Sequence, residues 1–178
     1  TNRNRNRRFR KQLYNINVKG NVMSQKTLYL AYGSNINLEQ MAYRCPTADR
    51  ITTGYIKDYE LEFRGVATIV PKENSMVPVL IWELEPADEK SLDRYEGFPS
   101  YYRKEMFDIE IGGETRTAMA YVMNRGAIDI PSDAYYNGIM KGYLDNGMDP
   151  KPLQEAYDRA VEGRQDIERM YQSFFDLK

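Results

Sequence analysis

From residue 27 to residue 123 the chain is divided by turn-forming residues into short, closely spaced runs of strand-like residues. This limits the fold more than any other feature, because most of the links are of hairpin length and too short for parallel crossovers. Residues 27–32, rich in apolar and aromatic side chains and ending at Gly33, read as a buried strand. Residues 51–57 and 59–64 read as two more, and residues 65–70 and 77–84 as a further pair joined by a polar turn at Lys72-Glu73-Asn74-Ser75. Residues 101–111 and 115–123 form a last pair around Gly112-Gly113. Helices interrupt this pattern at few places. Asn37 followed by Gln40 resembles a capping box and opens a short helix that runs to about Arg44 and stops before Pro46. Pro86 suits the first turn of another, through Asp88, Leu92 and Tyr95, closed by Gly97. From Asp133 the pattern is helical, with Gly142 and Gly147 as interruptions and Pro150 and Pro152 opening a final helix. The expected class is α+β, a small mixed or antiparallel β-barrel flanked by helices.

The chain has 178 residues, enough for one well-buried core, and a hydrophobic share of 42% that suits a globular protein. No uncharged run approaches the ~20 residues needed to cross a bilayer, so no membrane partner is expected. One cysteine, Cys45, cannot form an internal disulfide, and nothing requires an oxidising compartment; the expected location is the cytoplasm. There are no histidines, which removes Ser-His and Cys-His nucleophilic machinery and imidazole metal ligands. No metal site is expected, and acid–base chemistry falls to carboxylates, tyrosines, lysines or the substrate itself.

Charge is unevenly distributed. Residues 1–22 carry seven basic residues and no acid, so in a chain of net charge −1 the remainder sums to −8. A basic arm can bind nucleic acid. The plainer reading, preferred here, is a disordered basic leader or a start assigned too early, with Met23 just ahead of the first strand. That leaves residues 23–178 as the folded domain, with no nucleic-acid partner.

Two segments could carry chemistry. In Tyr32-Gly33-Ser34-Asn35, the glycine lets backbone approach a ligand, and the following helix start points free N–H groups at the loop. Such a place suits an anion, although the same tripeptide also makes an ordinary turn. Glu96 ends a predicted helix, where the negative end of the helix dipole disfavours a second anion and raises a carboxylate pKa, as suits a group that takes and returns protons near neutrality. A solvated glutamate in a last turn is the plainer alternative. Most of the 15 tyrosines are read as half-buried packing, and Cys45 as packing too.

In order and spacing, Tyr32-Gly33-Ser34-Asn35 after a strand, the segments at residues 65–69 and 79–82, and Leu92-Asp93 followed by Glu96-Gly97 resemble the gamma-glutamylcyclotransferase family. That wider family includes AIG2-like plant proteins and an enzyme that removes a γ-glutamyl group in the butirosin pathway. The resemblance covers roughly residues 28–147. It implies a β-barrel with a cavity at one end. Glu96 would be the catalytic carboxylate, and Tyr32, Gly33, Ser34 and Asn35 would hold the γ-glutamyl part, largely through backbone groups. Tyr102, or its neighbour Tyr101, and Tyr135, or its neighbour Tyr136, would complete the site. The implied activity is that of a cofactor-independent transferase or lyase. It releases 5-oxoproline and a free amine or amino acid from a small γ-glutamyl substrate, through attack of the substrate's own α-amine. Keeping asparagine after the serine points away from glutathione as substrate. A γ-glutamyl-amine or modified-metabolite cyclotransferase, and a non-catalytic γ-glutamyl-binding module, remain as alternatives; the protein is expected to act as a monomer or homodimer.

Overall fold

In the computed structural model, residues 25–175 are described; the leader expected at residues 1–22 lies outside them. Five strands, β1 (Thr27–Ala31), β2 (Asp49–Phe63), β3 (Ala67–Leu84), β4 (Tyr102–Ile111) and β5 (Glu114–Met123), make one sheet in the order β2-β3-β1-β5-β4. All neighbours are antiparallel except β1 and β5. β1 is short and central, and Tyr29, Leu30 and Ala31 are buried, as a strand covered on both faces requires. The fold is α+β.

The expected barrel takes the form of a curled sheet. No ladder joins the edge strands β2 and β4 among the described residues. They meet instead through side chains, with Tyr59 and Phe107 edge to face at 5.2 Å and Ile109 buried against Gly54.

The four strands expected between residues 51 and 84 are two long ones, β2 and β3, that turn at residues 64–66. The polar turn read at residues 72–75 is a bulge inside β3: Lys57 pairs with Met76 and Tyr59 with Pro71, so four residues of β3 oppose Asp58 alone. Asp58 Oδ1 accepts from Asn74 N at 3.0 Å, and both residues hold positive φ, which explains why the segment reads as a turn.

Four helices complete the domain: α1 (Leu38–Arg44), α2 (Pro86–Tyr95), α3 (Asp133–Asp145) and α4 (Lys151–Phe175). Asn37 caps α1 by accepting from Gln40 N at 3.1 Å, and α2 begins with a Glu85–Asp88 capping box. Gly142 does not interrupt α3. A Cβ there would lie 2.8 Å from Asn37 N and Ile36 C, so the missing side chain lets α3 press on the turn after β1. Asn37 Nδ2 donates to Gly138 O at 2.9 Å, and Asn146 Nδ2 to Ile36 O at 3.3 Å. The loop following β1 is thereby held from the α3 side.

Candidate active site

Gly33 leads β1 into a single 3-10 turn, Ser34–Ile36, with Ile36 N donating to Gly33 O at 3.0 Å. The N–H groups of Ser34 and Asn35 open this turn and have no acceptor among the described residues. Across from it, α2 ends at Glu96, and Gly97 at φ +63 stops the helix. Only glycine fits there, since an added Cβ would come within 2.5 Å of Tyr101 Cδ2 besides the unfavourable φ. This tight reversal aims Glu96 at the 3-10 turn: Asn35 Nδ2 donates to Glu96 Oε1 at 3.1 Å and to Tyr29 Oη at 2.8 Å.

The two segments form one side of a half-open cavity of about 950 Å³. Each of the residues selected from sequence (Tyr32, Gly33, Ser34, Asn35, Glu96, Tyr102 and Tyr135) lines it. Tyr32 is buried and donates its hydroxyl to the backbone oxygen of Tyr121, which ties the loop to β5. Tyr102 and Tyr135 converge on Ala67. Tyr102 Oη donates to Ala67 O at 3.0 Å, whereas Tyr135 Oη accepts from Ala67 N at 3.1 Å and keeps its own proton available. Gly33 passes so close that a Cβ would sit 3.2 Å from Tyr135 Oη. Tyr101 lies at the rim, 73% exposed. Tyr136 is outside the cavity, packed between Phe63 and Tyr157.

Glu96 is half-buried, and its pKa is raised to about 7. Loss of water around the carboxyl is the main cause; Arg44 and Asn35 oppose it. The helix dipole invoked from sequence is therefore not the leading reason. Burial also pushes Tyr135 up to about 12 and Tyr102 higher, so both stay protonated at neutral pH.

Arg44 is the residue that sequence reasoning missed. Its Nη1 donates to Asn35 Oδ1 at 2.7 Å and to Ser34 Oγ at 3.0 Å, and its Nη2 to Gln40 Oε1 at 2.8 Å. The guanidinium lies 3.8 Å above the Tyr95 ring. Because arginine only donates, Asn35 must turn its oxygen to Arg44 and its nitrogen to Glu96 and Tyr29. One signal was available: Gln40 and Arg44 are four apart on a short helix and share a face. Tyr29 was hidden in an apolar strand.

Similarity to known proteins identifies the family of the chain that carries this site. A family model described as gamma-glutamyl cyclotransferase, AIG2-like, matches residues 29–138. The chain belongs to that family. It is an enzyme of the cyclotransferase class. The human gamma-glutamylcyclotransferase is 30% identical over 149 residues, covering 76% of this chain and 78% of the human protein. A solved gamma-glutamyl cyclotransferase shares the fold with a TM-score of 0.68 at 24% identity, over 74% of this chain and 86% of that one. A second structure, of a human protein described as uncharacterized, has a TM-score of 0.67 at 26% identity with the same coverages.

Proposed function

We propose that the enzyme converts a γ-glutamyl compound into 5-oxoproline and a free amine or amino acid. The observation that carries this reading is Glu96, a carboxylate titrating near 7, hydrogen-bonded by Asn35 at 3.1 Å within the cavity. The substrate's α-amine nitrogen attacks its own γ-carbonyl carbon. The new C–N bond closes a five-membered lactam, the old C–N bond breaks, and the electron pair leaves on the departing nitrogen. Glu96 relays two protons from the α-ammonium to the departing nitrogen, one before the attack and one as the new amide bond forms. The amine therefore leaves as an ammonium, and no net proton is consumed. Nucleophile and electrophile share one chain, and the main task is to fold the glutamyl group back on itself. The unpartnered N–H groups of Ser34 and Asn35 are suited to the α-carboxylate, and the free proton of Tyr135 to the developing oxyanion. Tyr32 and Gly33 shape that end through backbone, and Tyr102 fixes Ala67 beside Tyr135.

The step uses protein side chains and the substrate alone, which suits a cofactor-independent enzyme, transferase or lyase in formal class. Residues 23–178 act as one domain, and the match over residues 29–138 supports this. No helix among the described residues is long and apolar enough to cross a membrane, and we assign the enzyme to the cytoplasm. The test is 5-oxoproline release from a panel of γ-glutamyl compounds by wild-type and Glu96→Gln protein. Release by the wild type and its loss in the variant are expected. Ligand binding without release would make the protein a γ-glutamyl-binding module instead.

A further inference from the structure

The cavity is electrostatically lopsided away from Glu96. Its rim carries Arg94, from the last turn of α2, and Arg125, just beyond β5. Both are exposed, and neither guanidinium has a hydrogen-bond or ion-pair partner among the described residues. Other arginines near this end are satisfied: Arg64 pairs with Glu62 at 2.6 Å, and Arg164 with Asp129 at 2.6 Å. Arg44 is engaged by Ser34, Asn35 and Gln40. Among the described lining residues Glu96 is the one carboxylate. A concave surface of one sign concentrates counter-ions.

We propose that Arg94 and Arg125 form the leaving-group subsite, and that the preferred substrate is a γ-glutamyl conjugate of an acidic amino acid, whose leaving amine bears two carboxylates. This rests on the cyclotransferase reading above, in which the α-carboxylate of the glutamyl half goes to the N–H groups of Ser34 and Asn35. With that anion provided for, the two guanidinium groups among the lining residues are left for the other half of the substrate. A guanidinium binds a carboxylate through two parallel N–H···O bonds, so each arginine matches one carboxylate. A conjugate of a simple amine would leave both cations unmatched, and a conjugate of a neutral amino acid would leave one.

The expected order of kcat/KM, followed as 5-oxoproline release, is γ-glutamyl-glutamate above γ-glutamyl-alanine above γ-glutamyl-ethylamide. Each lost carboxylate costs about fivefold, mainly in KM, because exposed charge pairs are individually modest. The preference shrinks as salt is raised, since the pairs are solvent-accessible. In Arg94→Gln/Arg125→Gln protein the ratio between the first and third compounds falls towards one, and Arg125→Glu lowers it further. Equal rates for the three compounds with wild-type enzyme would overturn the proposal, as would a ratio that survives the double substitution. Turnover of none of them would overturn the cyclotransferase reading instead. Calorimetry on Glu96→Gln protein with the same compounds then still decides the subsite: tighter binding of the dicarboxylate supports it, and equal binding rejects it.

Discussion

At the inner end of the cavity the polar side chains are held in place, Arg44 by Ser34 and Asn35, Asn35 by Tyr29 and Glu96, and Tyr102 and Tyr135 by the backbone of Ala67, which leaves the Tyr135 proton and the N–H groups of Ser34 and Asn35 for a ligand. At the rim, Arg94 and Arg125 are exposed and have no partner among the described residues, and Tyr101 stands 73% open to solvent. The contrast follows from the physics of the two places. Inside, an unpaired donor or acceptor costs about 1–3 kcal/mol, so the groups are ordered by one another before any substrate arrives. At the rim water satisfies them, and long side chains can wait for a ligand. A preorganised inner end suits the part of a substrate that reacts, and an adaptable outer end suits the part that leaves.

The sharpest way to break this comparison is to remove the proton carrier. Glu96→Gln keeps an oxygen for Asn35 Nδ2 and should lower kcat by about 10³-fold or more with the fold intact, as circular dichroism would verify. In the wild type, kcat/KM should fall as pH drops below about 7, where Glu96 becomes protonated and ceases to act as a base. An acid limb near 4.5 would place the carboxylate in water and end the argument. Arg44→Met comes next. It frees Asn35 to rotate its amide and removes a nearby positive charge, and both effects raise the Glu96 pKa further. We expect a loss of about 10²-fold and an acid limb displaced upward, with Arg44→Lys recovering the charge but not the two-pronged hold. A rate loss without displacement of the limb would make Arg44 purely architectural. The tyrosines that feel the Glu96 charge, Tyr29, Tyr32, Tyr102 and Tyr135, are all pushed upward, mainly by burial, and do not titrate in that range.

Much of this arrangement was legible in the sequence, and the illegible parts have specific causes. Helix ends were readable because Asn37, Pro86 and Gly97 act locally, through a cap, a fixed φ and a left-handed stop. The long β2–β3 hairpin was misread because Asp58 and Asn74 adopt positive φ inside a paired strand, where a bulge and a turn use the same residues. Gly142 looked like a helix breaker because the backbone it accommodates, at Ile36 and Asn37, is over 100 residues away in sequence. The Glu96 pKa was anticipated in direction from a dipole, yet its main cause, burial, depends on where the cavity walls lie. Arg44 escaped because its importance is relational: nothing in its own neighbourhood shows that it orients Asn35.

Neighbouring tyrosines allow a smaller contrast between inside and rim. Tyr102→Phe removes the donor to Ala67 O and loosens the segment that Tyr135 also holds, so a loss of about tenfold in kcat/KM is expected. Tyr101→Phe removes a hydroxyl with no partner among the described residues and keeps the ring beside Gly97, so the change should stay within about twofold. Equal losses in both would show that the division between an interior held in place and an exposed rim does not hold.

The smallest effect is thermodynamic, and its sign follows from the same burial. The Glu96 carboxyl has a native pKa of about 7 against 4.5 when exposed to water, so between these values the native state binds more proton than the unfolded state. Stability contributed by the neutral carboxyl is therefore complete below about pH 4.5 and is lost as pH rises through 7. Glutamine at this position stays neutral throughout. Glu96→Gln should match the wild type in Tm near pH 4.5 and exceed it at pH 8, by about 1 kcal/mol once the partial exposure of the site is allowed for, or roughly 2–4 °C. All other titrating groups are common to both proteins and cancel in the difference. A Tm advantage that is the same at both pH values, or reversed, would mean that the carboxyl is hydrated, and the inner end of the cavity would then be as wet as its rim.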